Sequence, residues 1–347
     1  MAQWHLPPFT VLRVMTARTQ VVDWGLTALG VPDLWKQTKG KGVRVAVIDT
    51  GMPDHPDLVP AIQGVQDFTG SQFGPRDVQG HSTHCCGIIG ARDNQVGTVG
   101  VAPECDLICA KVLGDNGAGE SDWVAAGVRW AVQQKADVIS MSLGSPEPDE
   151  GIHAALQEAV AAGVFLVCAA GNSGPAPNSV EYPGKFPETV AVGSINQQLQ
   201  VSQFSSRGPE VAVVAPGEKI TSTYLNCTVA VLSGTSMATP FVAGVVALAV
   251  AHRRDLGRPL KTQADLLNLI HQTATHKGRP AGEVPDFGWG LLDPKDVVDP
   301  ADSPPPVLPP AAGDGLVGFG PGDFTPGGLA KAAALLGQNR GITLQVR

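Results

Sequence analysis

From about Gly42 to Val298, short apolar runs alternate with stretches of helical periodicity. "VRVAVIDT" is followed by a segment opening at His81, then "DLICAKVL", then residues 121–135, then "DVISMSL". Within 121–135, Val124, Val128, Ala131 and Val132 recur at i, i+4, i+7 and i+8, the spacing of one helix face. The runs "VFLVCAA", "TVAVGSI" and "EVAVVAP" predict further strands, and residues 236–251 and 262–273 predict helices. Apolar strands separated by helices require crossover units, so the expected fold class is α/β, a doubly wound and mostly parallel sheet.

Composition changes this picture at one end. After Val298 the chain reads "DPADSPPPVLPPAAGDGLVGFGPGDFTPGG", a Pro/Gly stretch that cannot hold a packed core. Residues 299–347 are therefore expected to be a linker and tail, with "LAKAAALLGQ" helical and "GITLQVR" a last strand. No internal repeat is visible. The 347 residues are 43% apolar, enough to bury a sizeable core.

Charge and targeting signals narrow the partners. A net charge of −8 without any Lys/Arg block argues against a nucleic-acid or anionic-membrane surface. The start, "MAQWHLPPF", lacks the basic and apolar regions of a secretory signal, and the apolar run from Phe241 to Ala251 falls well short of the ~20 residues of a membrane span. A cytoplasmic protein without a membrane partner is expected. Six cysteines (Cys85, Cys86, Cys105, Cys109, Cys168, Cys227) lie mostly inside apolar runs, which fits reduced buried thiols, with one or two bridges remaining open.

Candidate chemistry lies at the carboxyl ends of the predicted strands, where open parallel sheets bind ligands. Asp49 ends "VAVID", and by itself it reads as a turn aspartate. In "GHSTHCCGIIG", His81 opens a helix and His84 and Cys85 follow at i+3 and i+4. Zinc-type donors are present there without a complete four-ligand pattern, and a capping or core histidine is the other alternative. Asn172 follows a strand in "LVCAAGNSGP", where its amide could simply support a turn. Ser236, in "VLSGTSMATPFVAGVVALAV", is either a helix cap or a hydroxyl facing a cleft, where the helix start favours nearby negative charge. Together the four supply a nucleophile, a base, an acid that orients the base, and an amide donor, the inventory for acyl transfer. A non-catalytic α/β binding protein is the competing class, and the intact quartet argues against it.

The blocks "VAVIDTG", "GHSTHCCGIIG", "GVAP", "SMSLG", "AAGNSG", "VAPG" and "GTSMATP" resemble, in order and spacing, the signature segments of the subtilisin-like serine proteases over about residues 20–298. The resemblance implies a serine endopeptidase with Ser236 as nucleophile, His81 as general base, Asp49 as its orienting carboxylate and Asn172 as oxyanion donor. It further implies that an extended polypeptide substrate binds along Gly117, Ala118 and Gly119 and along Ser142, Leu143 and Gly144, with Glu181 flooring a pocket that favours Lys or Arg. A structural Ca2+ site is implied at Gln20, Asp57, the side chain of Asn94, and the carbonyls of Arg92, Val96 and Thr98. A second site is compromised, because Glu210 remains while Ala212 stands where a carboxylate is frequent. "LPPF" (6–9) resembles the N-terminal extension of the intracellular members, so residues 1–19 are expected to act as an inhibitory, pro-segment-like piece. Cys85 resembles a thiol that lies beneath the triad in some members, where a mercurial would displace His81. Ser82 and Phe241 depart from the usual Gly and His, and neither removes a catalytic group. Polypeptides are the expected partners, with a homodimer left open.

Overall fold

Branched side chains suit a pleated surface covered on both faces, and the Val- and Ile-rich runs accordingly form strands. A computed structural model describes residues 3–17, 19–275 and 286–300. The chain begins with strands β1 (Gln3–His5) and β2 (Thr10–Met15) and short helices α1 (Trp24–Ala28) and α2 (Val31–Leu34). The α/β body then runs β3 (Arg44–Asp49), β4 (Ile62–Asp67), α3 (His81–Gly90), β5 (Asp106–Lys111), β6 (Ala118–Glu120), α4 (Ser121–Gln133), β7 (Val138–Met141) and α5 (Glu150–Ala161). It continues through β8 (Phe165–Ala169), β9 (Val190–Ile195) and β10 (Val211–Pro216). A hairpin of β11 (Ile220–Tyr224) and β12 (Thr228–Ser233) leads into α6 (Thr235–Asp255), followed by α7 (Gln263–Thr273) and α8 (Pro294–Val298).

Among the described residues the central sheet has seven strands, all parallel, in the order β10-β9-β8-β7-β3-β5-β4. The order reverses beside β3, so the switch point, where such sheets leave a crevice, lies at the end of the strand that carries Asp49. Alternate residues of β3 serve opposite cores: Val45 and Val47 pack with α3 and α6, Ala46 and Ile48 with α4 and α5. β5 divides in the same way, with Leu107 and Cys109 on one side and Ile108 and Ala110 on the other.

Every residue of α6 from Thr235 to Ala251 is buried, as an all-round apolar helix requires. By length and composition α6 could cross a bilayer, but 94% of that window is buried inside the protein. The helix starts one residue before Ser236 and runs four past Ala251, because His252, Arg253 and Arg254 suit its negative C-terminal end. Thr262 caps α7 through a reciprocal capping box with Asp265.

Elements beyond the predicted set are α5, β4, β6, the β11–β12 hairpin, the two N-terminal strands and the short helices α1, α2 and α8. β4, "IQGVQD", lies at the sheet edge with no fully buried residue and so lacks an apolar run. β2 is exposed over most of its length and depends on pairing with β12. All six cysteines are free, as reduced thiols require. The expected tail elements at "LAKAAALLGQ" and "GITLQVR" lie outside the described residues.

Candidate active site

Asp49 closes β3 and is fully buried. Thr50 N donates to its Oδ1 at 2.7 Å, and both carboxylate oxygens lie close to His81 Nδ1, at 3.0 and 2.9 Å. His81 is the first residue of α3, whose cap, Gly80, has no side chain and a φ of +95°. Asp77 anchors this helix start instead. Its Oδ1 accepts from the N–H groups of Gln79 and Gly80 and the Thr50 hydroxyl, and its Oδ2 from the N–H and hydroxyl of Thr83. A Cβ on Gly80 would come within 2.6 Å of Tyr224, so glycine is required for space as well as conformation. Sequence reasoning missed Asp77, because it lies three residues before the cap position Gly80, outside the local capping pattern.

Burial disfavours a charged His81, but the Asp49 carboxylate and, after it, the Cys85 sulfur together more than offset it, and the ring's pKa stands well above the ordinary histidine value. With Nδ1 turned to Asp49, Nε2 is buried and has no hydrogen-bond partner among the described residues.

Ser236 is the second residue of α6, and its hydroxyl caps nothing: it approaches the Ser142 carbonyl at 3.5 Å. The capping alternative is thereby overturned. Ser142 Oγ donates to the Ser236 carbonyl at 3.0 Å, and Cys85 Sγ reaches the same oxygen at 3.4 Å while lying 3.8 Å from His81 Nδ1. Cys85 thus touches the backbone of Ser236 and the ring of His81 at once. Asn172 Oδ1 accepts from Thr235 N and Oγ1 at 2.9 and 2.8 Å, which orients the amide. Its Nδ2 then donates outward to a peptide carbonyl, that of Pro8, at 2.8 Å.

The N-terminal segment runs through this site. β1 pairs antiparallel with β6, and Leu6 N donates to the Gly117 carbonyl at 3.0 Å. On the other side His5 and Gly144 exchange backbone hydrogen bonds of 3.1 and 2.9 Å. The stretches 117–119 and 142–144 therefore flank an extended chain, namely the protein's own residues 3–6. Trp4 is fully buried with Nε1 on Ser121 Oγ at 3.1 Å, and the Phe9 ring lies 5.0 Å from that of His81. The Leu143 side chain belongs to the core, leaving only its backbone to the cleft.

Glu181 is buried, with Oε1 accepting from Ser173 Oγ at 2.9 Å and Oε2 unpartnered among the described residues. The carboxylate fills space left by two glycines: a Cβ on Gly144 would stand 2.2 Å from Oε2, and one on Gly171 2.9 Å from Cδ. A buried carboxylate oxygen without a donor favours a cationic or hydrogen-bonding guest.

His84 does not join the cluster despite its spacing. Its Nε2 lies 3.1 Å from the Ala230 carbonyl, and burial pushes its pKa down to about 3, so the ring is a neutral core histidine. The groups that do converge are Asp49, His81 and Cys85.

At the expected Ca2+ site, Asp57 is buried and takes the Asn94 amide on Oδ1 at 3.0 Å and Thr98 N on Oδ2 at 3.1 Å. Gln20 Oε1 accepts from Asn94 N and Gln95 N at 3.0 and 2.8 Å. Along this loop the Gln95 and Gly97 carbonyls are taken by Gln20 N and Val21 N, and the alternate carbonyls belong to Val96 and Thr98. Oxygens of the type a hard cation takes are thus present around one buried carboxylate, but the side-chain ones already accept N–H groups, Asn94 Oδ1 from Val96 N at 3.1 Å. At Glu210 the Lys185 ammonium, 3.9 Å away, already answers the charge, and Ala212 is buried in β10. Ser82 and Phe241 are both buried, and Ser82 N donates to Thr50 Oγ1 at 3.1 Å.

A parallel α/β sheet whose switch point brings a buried carboxylate onto a histidine, next to the N-terminus of a core helix that carries a serine, defines a class of hydrolase. The model of the subtilase family matches residues 40–290, and the chain belongs to that family, the subtilisin-like serine endopeptidases. The chain is 43% identical over 268 residues to the intracellular serine protease of Paenibacillus polymyxa, covering 74% of this chain and 82% of the relative. Against the major intracellular serine protease of Bacillus subtilis (strain 168) it is 42% identical over 260 residues, 72% of this chain and 82% of the relative. Subtilisin E of the same organism is 39% identical over 279 residues, 79% of this chain and 70% of the relative.

Proposed function

We propose that this endopeptidase cleaves peptide bonds through an acyl-enzyme on Ser236, with His81 as general base, Asp49 as its orienting carboxylate and Asn172 as oxyanion donor. The observation that carries this reading is the pairing of the Asp49 carboxylate with His81 Nδ1, which leaves Nε2 buried and unpartnered. A serine hydroxyl is a weak nucleophile near neutral pH, so His81 takes its proton during attack and returns it to the leaving amine. Asn172 Nδ2, its amide held by Thr235, meets the carbonyl oxygen as it becomes an oxyanion. A fluorophosphonate should label Ser236 once limited proteolysis has removed residues 1–19 and leave the trimmed Ser236→Ala chain unlabelled; an unlabelled trimmed chain would refute the assignment.

Residues 1–19 act as an inhibitory segment. The support is their course: residues 3–6 run between the two flanking stretches, and beyond them the Pro8 carbonyl lies on Asn172 and the Phe9 ring against His81. The Glu181 carboxylate gives the acyl-side pocket a preference for Lys or Arg. Ca2+ held by Gln20, Asp57, Asn94 and the carbonyls of Arg92, Val96 and Thr98 stabilises the loop against unfolding. Ligand linkage at about a hundredfold excess over Kd corresponds to ~2.7 kcal/mol, so a chelator should lower Tm by roughly 5–10 °C, reversibly. The names of the two intracellular relatives support a cytoplasmic location.

A further inference from the structure

The segment that crosses the cleft continues beyond it. With the Pro8 carbonyl on Asn172 Nδ2, Phe9 is the first residue on the side where a leaving group would lie, and β2 carries the next six. β2 pairs antiparallel with β12 through Thr10↔Ser233, Val11↔Leu232, Arg13↔Val231, Val14↔Ala230 and Met15↔Val229, with Leu12 as the extra residue of an irregularity. Side chains contribute little to this contact, since residues 10–14 are all exposed and Val11, Leu12 and Val14 keep 41%, 50% and 49% of their surface. The main chain therefore makes the contact.

β12 is held in place independently of β2. Its far edge pairs with β11 over five residue pairs, and His84 Nε2 donates to the Ala230 carbonyl at 3.1 Å. β11 is in turn fastened to α3, with Ser222 Oγ and Thr223 Oγ1 donating to the carbonyls of His84 and Thr83 at 2.8 and 2.7 Å. Removing β2 would expose an ordered strand edge, a template for any extended chain.

We propose that the free edge of β12, residues 229–233, is a docking strand for the leaving-side half of a polypeptide substrate, reaching to about the seventh residue past the scissile bond and reading main chain rather than side chains. This rests on the reading that residues 1–19 occupy the cleft in the manner of a substrate. The site thus favours unfolded polypeptides over short peptides.

The test uses the full chain carrying Trp4→Ala, which removes the buried anchor of the segment in the cleft, and the same chain carrying Arg13→Pro/Val14→Pro as well. Because the two residues are adjacent, one of their N–H groups points into the ladder whatever its phase, so the variant loosens β2. Quenched peptides share one acyl side and carry either two or seven residues on the leaving side. Main-chain bonds of modest net strength should raise kcat/KM for the longer peptide by about tenfold in the variant. The Trp4→Ala chain with β2 unsubstituted should show a smaller ratio that still exceeds one, since β2 competes for the edge. N-methylation at the fifth and sixth leaving-side residues should abolish the gain, whereas exchanging their side chains should preserve it. Equal kcat/KM for the two lengths, with turnover intact, would overturn the docking strand and leave the peptidase standing. Absence of turnover together with absence of fluorophosphonate labelling at Ser236 would overturn the peptidase assignment and the docking strand with it.

Discussion

A carboxylate held 2.9 Å from an imidazole in a buried site sets the tautomer of His81 and favours its protonated form. General-base catalysis needs the neutral ring. With a pKa raised well above 6.5, kcat/KM should climb with pH along a limb lying above the ordinary histidine range. Asp49→Asn removes the charge that favours the imidazolium, so the limb should move to lower pH while kcat falls by about 10⁴-fold, as expected when the tautomer is wrong. A pH–rate profile of both proteins checks the sign; an unmoved limb would assign it to another group. Asn172→Leu should lower kcat by about 10²- to 10³-fold with little change in KM, a magnitude taken from a related subtilisin. A loss confined to KM would show that Asn172 binds the ground state only.

At the scale of elements, α3 is fixed by contacts that no periodicity announces. Gly87 lies against β11 so closely that a Cβ would meet Thr223 Oγ1 at 2.1 Å and Ser222 Oγ at 2.3 Å, the hydroxyls that fasten hairpin to helix. Gly87→Ala should therefore destabilise the fold by about 1–3 kcal/mol in denaturant unfolding and, by shifting α3, reduce activity as well. Strand and helix identities were legible in the sequence wherever a side was buried continuously: β3, β5, β8, β9 and α6 all read directly from their apolar runs. β2 and β4 were not, because an exposed or edge strand owes its form to a partner's backbone. The role of Ser236 was equally ambiguous locally, since a hydroxyl at a helix start satisfies the capping pattern whether or not it caps.

At the scale of the whole molecule, the N-terminal segment reaches from the core to Asn172 and His81. Trp4 is fully buried in the second core, against the face that carries α4 and α5, and its indole N–H is satisfied by Ser121. Deleting a buried aromatic of this size typically removes about 3–5 kcal/mol of packing. Here that loss falls on the segment lying in the cleft. Trp4→Ala should shorten any latent phase of the full chain and raise its initial rate at least about tenfold, read from progress curves; unchanged progress curves would mean that the segment does not restrain the enzyme.

By itself the sequence determined the parallel α/β plan and singled out the four candidate groups, because continuous burial and signature spacing are properties of the chain read in order. Only the tertiary structure decided which neighbour each group meets: His84 turns to a strand carbonyl while Cys85, one residue on, faces His81 and Ser236. It also decided that residues 3–15 lie along the edges of β6 and β12. Both outcomes follow from backbone hydrogen bonding and helix direction across large sequence separations, which no local pattern of side chains encodes.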